Sequence, residues 1–134
     1  MNPELTAFST DGLQIKFKEK NIEIARVRIY FIHNGLHEKS YALIEDLFVQ
    51  EAYRQKGYGS KILRAAIQEA KKRGCYKIIA TSRNERKQVH KFYTKAGFKE
   101  WGKEFRMDLA PKKSEAIYRA NAFFLLKWNW KEAW

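Results

Sequence analysis

Residues 47–72 read LFVQEAYRQKGYGSKILRAAIQEAKK: an apolar run ending at Val49, two glycines among cations, then an amphipathic helix. Ile62, Leu63, Ala66, Ile67 and Ala70 fall at helical spacing over 58–73, and Gly74 is placed to stop the helix. Upstream, YALIEDLFV (41–49) is apolar almost throughout, as in a strand covered on both faces. A strand, a tight turn and a helix N-terminus therefore meet at Arg54-Gln55-Lys56-Gly57-Tyr58-Gly59-Ser60. Backbone N–H groups in a helix's first turn lack intrahelical partners and carry the positive end of the dipole. Glycine at 57 and 59 lets the backbone approach an oxyanion and take dihedrals that a side chain forbids, while Arg54, Lys56 and Lys61 add full charges. Such a turn suits phosphate. The competing reading is a plain strand-to-helix connection, with glycines for turning and cations for solubility.

Spacing excludes two common phosphate motifs. A dinucleotide fingerprint needs a third glycine where Ile62 stands, and a P-loop needs Gly-Lys-Ser/Thr after four intervening residues.

On the N-terminal side, LQIKFKEKNIEIARVRIYFIH (13–33) alternates apolar and polar residues and breaks at KEKN, which predicts two antiparallel strands over 13–19 and 22–32. HNGLHEKS is a loop. On the C-terminal side, YKIIATS is a short buried strand, and ERKQVHKFYTKA before Gly97 is a helix with Val89, Phe92, Tyr93 and Ala96 on one face. FKEWGKEFRMDLA returns to strand character, Pro111 closes it, and SEAIYRANAFFLLKWNWKEAW is helical and aromatic. The order β-β-β-α-β-α-β-α predicts one α/β (α+β) domain over 1–134, with a core at about 13–109 and a helical extension at about 112–133.

Composition bounds the function. With 134 residues, 45% of them apolar, the chain can bury one core, and no run approaches the roughly 20 apolar residues of a membrane span. No secretory signal is visible, and the lone Cys75 cannot form an internal disulfide, so a cytoplasmic location is expected. Lys and Arg number 27 against 15 Asp and Glu, a net charge of +12 that favours anionic partners. His33, His37 and His90 show no i, i+4 pair and have no second cysteine to help, so no metal is expected.

Val49, Tyr53, Arg54, Gly57 and Gly59 before a helix resemble the pyrophosphate loop of the GNAT superfamily of acyl-CoA-dependent N-acyltransferases, whose pattern is Gln/Arg-x-x-Gly-x-Gly/Ala. HKFYTKAGF is similar to the family's second signature, through Phe92-Tyr93 and Gly97-Phe98. The resemblance covers roughly 13–109 and implies a mixed central sheet with acetyl-CoA as cosubstrate. It implies that Leu47, Phe48 and Val49 pair with the pantetheine arm like an added strand, that the amides of Gln55, Lys56, Gly57, Tyr58, Gly59 and Ser60 hold the pyrophosphate, and that Tyr93 acts as the thiolate acid. The sequence departs from the pattern at Arg86, which stands where the family commonly has Asn; Asn84 is two residues out of register. Arg83, Arg86 and Lys87 form a cluster for the coenzyme's 3′-phosphate or for an acidic substrate, or else a solvated helix start. The family's usual first strand and two helices, which wall the acceptor site, are replaced by about 12 residues, so the C-terminal helix is expected to supply that wall.

Acetyl transfer to an amine also needs a base. Glu45 and Asp46 are unusual charges in an apolar strand. Strict alternation gives Glu45 the parity of Leu47 and Val49, the parity the family often uses for a base or water-holding residue, with Asp46 on the other face. Either acid could instead pair with a neighbouring Arg, and His90, three residues before Tyr93, is a further candidate. The expected function is N-acetyl transfer from acetyl-CoA to a primary amine, by direct attack in a ternary complex. The alternatives are a basic nucleic-acid-binding module and an acyl-CoA-binding protein without catalysis. The acceptor is open among small molecules, peptides and aminoacyl-tRNA. The aromatic C-terminal helix is expected to pack within its own subunit or across a homodimer axis, with a membrane surface as the rival.

Overall fold

A strand that starts by alternating can be closed into a hairpin only by a turn that matches its twist. In the computed structural model, which describes residues 1–110, Lys20 and Asn21 supply that turn, both with positive φ (47° and 66°). This is the two-residue geometry that Asn and Gly favour, and it joins β1 (Asp11–Glu19) to β2 (Ile22–Ile32). A lysine in the left-handed region costs about 1–2 kcal/mol. The double change Lys20→Asn, Asn21→Gly should therefore raise stability by about 1 kcal/mol and Tm by about 4–8 °C. A thermal melt with Tm unchanged or lowered would contradict that turn.

The sheet order is β1-β2-β3-β4, with β3 at Tyr41–Val49 and β4 at Ile78–Ala80. The first two pairings are antiparallel; β3 and β4 are parallel, joined through α1 (Tyr58–Lys72). One face is the core: Ala25, Val27, Ile29 and Phe31 of β2, Ala42 and Ile44 of β3, and Ile62, Leu63, Ala66 and Ala70 of α1. Leu13, Ile15 and Phe17 of β1 flank it, half-buried. The apolar run 41–49 predicted a strand covered on both faces. Only its core face is buried: Tyr41, Leu43 and Leu47–Val49 are half-buried, and Glu45 and Asp46 are exposed.

The hairpin carries one irregularity. Ile24 is an extra residue on β2, between the pairs Phe17↔Ala25 and Lys18↔Glu23. Gln50 fills the resulting gap, its backbone N–H donating to Ile24 O at 2.9 Å and its side chain to Glu23 O, which fixes where β3 ends. On the outer face, Lys16, Glu23, Arg26 and Asp46 form a charge chain with links of 3.1, 2.9 and 2.7 Å. Burial alone would raise the Glu23 carboxyl, but hydrogen bonds from Arg26 and Lys16 outweigh it and hold it below the usual range.

After β4 comes α2 (Lys87–Lys95), as expected, and Cys75 is half-buried. The strand expected over 98–110 does not form. Residues 99–109 carry no regular secondary structure, and Trp101, Phe105, Met107 and Leu109 are exposed. Alternation gives strand propensity, but propensity becomes a strand only against a hydrogen-bonding partner, and no described strand pairs with this stretch. The described residues divide at Trp101/Gly102 into two units. The C-terminal helix expected over 112–133 lies outside the described residues. Among the described residues no helix is long and apolar enough to cross a membrane.

Candidate active site

The site begins where a ladder stops. β4 pairs with β3 only at Ala42↔Ile78, Leu43↔Ile79 and Ile44↔Ala80, after which the chain leaves through 81–86. The edge of β3 from Glu45 to Val49 therefore has no partner on the β4 side among the described residues. An open cleft of about 780 Å³ results, lined by Leu47, Phe48 and Val49 on one wall and by Glu85, Arg86, Lys87, Gln88 and Val89 on the other, with Arg54 at one end. Two residues past β4, the buried hydroxyl of Ser82 finds no hydrogen-bond partner among the described residues.

The turn between β3 and α1 is shaped by two positive-φ residues, Gln55 (60°) and Gly57 (84°). Alternating backbone handedness of this kind turns successive N–H groups to one side, a concavity that suits anions. Gly57 is the N-cap of α1 and no side chain caps the helix, so the first-turn amides of Tyr58, Gly59 and Ser60 lack an acceptor among the described residues. The two glycines do different work, contrary to the expectation that both need forbidden dihedrals. Only Gly57 has positive φ; Gly59 is an ordinary helical residue, and a Cβ there would meet Phe92 at 3.6 Å and Val49 at 3.8 Å, which is normal contact.

The cations of the loop are held rather than loose. Arg54 Nε donates to Val49 O at 2.9 Å, tying the turn to the end of β3, so this residue supports the loop as well as charging it. Lys56 sits 5.5 Å over the Tyr53 ring and Lys61 5.5 Å over the Tyr58 ring. Arg86, the N-cap of α2, lies on the opposite wall with Lys87 beside it. His90 ties down the loop ahead of α2, its Nε2–H donating to Arg83 O at 2.9 Å, which commits that nitrogen to structure.

The parity expectation for the two acids fails because of a bulge. β2 and β3 pair at Arg28↔Glu45 and then at Arg26↔Phe48, so Asp46 and Leu47 together oppose Val27, with Asp46 at φ 51°. A bulge resets alternation. Glu45 therefore shares its face with Phe48, Arg26 and Arg28, whereas Val49 falls on the core face opposite Ala25. Asp46 does not take the other face as a free carboxylate: both its oxygens accept from Arg26, at 2.7 and 3.2 Å, and the same guanidinium lies 4.5 Å from the Phe48 ring centre. No feature of the sequence marked this bulge, since aspartate in an apolar run reads equally as a base or an ion-pair partner.

Tyr93 lies between Phe92 and Phe98, each ring 5.3 Å away at 61° and 63°. Gly97, at φ 101°, ends α2 and lets Phe98 N–H bond back to Tyr93 O at 3.0 Å, which seats Phe98 against the phenol ring. Burial pushes the Tyr93 phenol up, and the nearby Glu45 carboxylate adds to the shift. Tyr93 and Glu45, 48 residues apart, are thus brought within electrostatic reach of one another.

The geometry has counterparts in known proteins. The model of the acetyltransferase (GNAT) family matches residues 11–98, two thirds of the chain. Glucosamine 6-phosphate N-acetyltransferase 1 of Oryza sativa subsp. japonica is 39% identical over 57 residues, which are 42% of this chain and 33% of that protein. A candidate acetyltransferase from Agrobacterium tumefaciens superposes with a TM-score of 0.65 at 29% identity, over 69% of this chain and 65% of its own. The glucosamine-6-phosphate N-acetyltransferase of Arabidopsis thaliana shares the fold alone, at 23% identity and a TM-score of 0.67, over 75% and 68% of the two chains. The split between β3 and β4, the uncapped glycine turn at the start of α1 and the match over 11–98 lead to one conclusion: the chain belongs to the GNAT family of acetyltransferases.

Proposed function

We propose that this protein transfers an acetyl group from acetyl-CoA to a primary amine. The observation that carries the reading is the β3 edge at Leu47–Val49, which no described strand pairs with on the β4 side and which lines a cleft that Arg54, three residues before the N-cap of α1, lines as well. An extended pantetheine arm can pair with such an edge as an added strand, and the pyrophosphate suits the amides of Gln55 to Ser60. Arg54, Lys56 and Lys61 add charge there, and Arg86 with Lys87 lies where a 3′-phosphate can be met. When bound, acetyl-CoA supplies the activated acyl group.

The chain's own residues then manage protons. Glu45 accepts the proton of the acceptor's ammonium, directly or through water, freeing the lone pair that attacks the thioester carbon. As the C–N bond forms and the C–S bond breaks, Tyr93 gives its phenolic proton to the departing sulfur, while the nitrogen sheds its second proton to water, which restores the phenol. Its raised pKa keeps that proton in place across the neutral range. Asp46 is the weaker base candidate because Arg26 occupies both its oxygens. Calorimetry with acetyl-CoA should give saturable binding in the micromolar to millimolar range usual for substrates. An amine panel should release free CoA. No binding at about 1 mM acetyl-CoA would remove the coenzyme site, and binding without amine-dependent CoA release would leave a coenzyme-binding protein without catalysis.

A further inference from the structure

One row of the outer face places unlike charges side by side. Gln14 on β1 stands directly opposite Arg28 on β2, and Arg28 directly opposite Glu45 on β3. Directly opposed residues share a face, with Cβ atoms about 4.5–5.5 Å apart. The next row behaves differently: Arg26 there is occupied by Glu23 and Asp46, and Lys16 by Glu23. Arg28 and Glu45 are both exposed, and neither makes an ion pair among the described residues. The bulge at Asp46 is what separates the rows, because it sends Asp46 to Arg26 and leaves the carboxylate of Glu45 without an ion-pair partner among the described residues.

Beside Arg28 the face is hollow. Gly12 stands opposite Tyr30, and a Cβ there would come within 3.1 Å of Ile29 O and 3.3 Å of the Tyr30 ring, so a side chain would crowd the floor. The hollow, about 290 Å³ and open to solvent, is lined by Gln14, Arg28 and Tyr30 as well as by the backbone of β1 and β2. A guanidinium, an amide and a phenol thus line a depression one strand away from the Glu45 carboxylate.

From this juxtaposition we infer that the acceptor is an amine that also carries an anionic group, the anion held by Arg28 with Gln14 and Tyr30, and the amine presented to Glu45. The inference rests on the acetyltransferase reading. The separation of the two groups should be one to two strand spacings, roughly 5–10 Å. Arg suits a phosphate or a carboxylate equally, since both accept its paired donors. Glu45 receives the ammonium proton and the acetyl group is transferred to the same nitrogen, so the anion takes no part in bond making. Its contribution is position: it fixes which nitrogen lies beside the thioester.

The experiment uses matched amine pairs at saturating acetyl-CoA: phosphoethanolamine against ethanolamine, β-alanine against β-alaninamide, and glucosamine 6-phosphate against glucosamine. Wild type should favour the anionic member of at least one pair by about 10-fold or more in kcat/KM, the size of one charge-assisted hydrogen bond. Arg28→Gln should bring the two members of that pair to within about 3-fold of one another, whatever it does to the rate they share. Lys71→Gln, which removes the same charge from the last turn of α1, controls for the overall positive field and should leave the preference intact. Preference for phosphates alone or for carboxylates as well identifies the anion. Equal rates within every pair, or a preference that Arg28→Gln and Lys71→Gln reduce alike, overturn the inference while leaving the acetyltransferase reading in place. Phosphorus-31 NMR titration of phosphoethanolamine separates the reverse case. If no amine releases CoA but wild type still binds the phosphate and Arg28→Gln does not, the anion site stands and the transferase reading falls; if binding is also indifferent to Arg28, both fall.

Discussion

Replacing Gly57 by Glu is expected to abolish acetyl-CoA binding at any concentration calorimetry can reach. Gly57 is the N-cap of α1, with φ 84° and ψ 0°, and no atom of the described residues lies within 4 Å of a Cβ at this position. Sterically, then, a side chain fits; what it meets is a dihedral penalty and whatever ligand the amides attract. The penalty, about 1–2 kcal/mol, applies equally to Gly57→Gln, which has the same shape and no charge. The difference between the two variants therefore isolates electrostatics. A carboxylate about 4 Å from one phosphate charge costs about 4 kcal/mol at an effective dielectric near 20, and a pyrophosphate offers more than one charge. Gly57→Gln should weaken binding modestly and Gly57→Glu by a further ~10³-fold or more, with the circular dichroism of the two variants alike. Equal affinities would mean that no phosphate lies on these amides. Gly59→Ala is the internal contrast: with negative φ and ordinary neighbours, it should bind nearly as wild type.

The contrast between these glycines shows where sequence reading reaches its limit. Periodicity located β1, β2, β3, α1 and α2 to within a few residues because amphipathic spacing is a local property with a direct structural consequence. The turn at 54–60 was legible for the same reason, glycines and cations directly before a helical stripe. What failed was non-local. The stretch 98–110 carries the alternation of a strand, yet a strand is made by its partner, and none of the described strands takes it up. Glu45 was placed on the face of Leu47 and Val49 by counting in twos, and one residue in the left-handed region, Asp46, undid the count. Arg28 offered no signal of its own among the alternating cations of β2. Its position opposite Glu45 exists only once the register of two strands is known. Tyr93 was picked out by a motif, but the raised phenol depends on burial between two phenylalanines and on a carboxylate 48 residues away.

Tyr93→Phe should lower kcat by at least about tenfold while leaving acetyl-CoA affinity and stability nearly unchanged. The variant is unusually clean. The Tyr93 hydroxyl makes no hydrogen bond to another described residue, so its removal strands no partner, and a phenylalanine ring keeps the edge contacts with Phe92 and Phe98. A purely structural tyrosine would therefore lose little or gain slightly on losing its hydroxyl. A proton donor to the departing sulfur would lose general-acid catalysis, typically worth 10²–10⁴-fold, less whatever water can replace. The pH profile adds a second, independent sign. Burial first, and then the Glu45 carboxylate, raise the phenol pKa, so the active protonated form persists above the ordinary tyrosine value of about 10. Wild-type kcat should hold through neutral and mildly alkaline pH and fall only beyond that value, and the fall should vanish in Tyr93→Phe. Glu45→Gln tests the other proton. It should depress the rate at neutral pH, whereas Asp46→Asn should act through stability, because it removes the charge and leaves Arg26 one acceptor oxygen in place of two. Unchanged turnover in Tyr93→Phe, at a step shown to be limited by chemistry, would return this side chain to the core and leave the thiolate to be protonated by solvent in the open cleft.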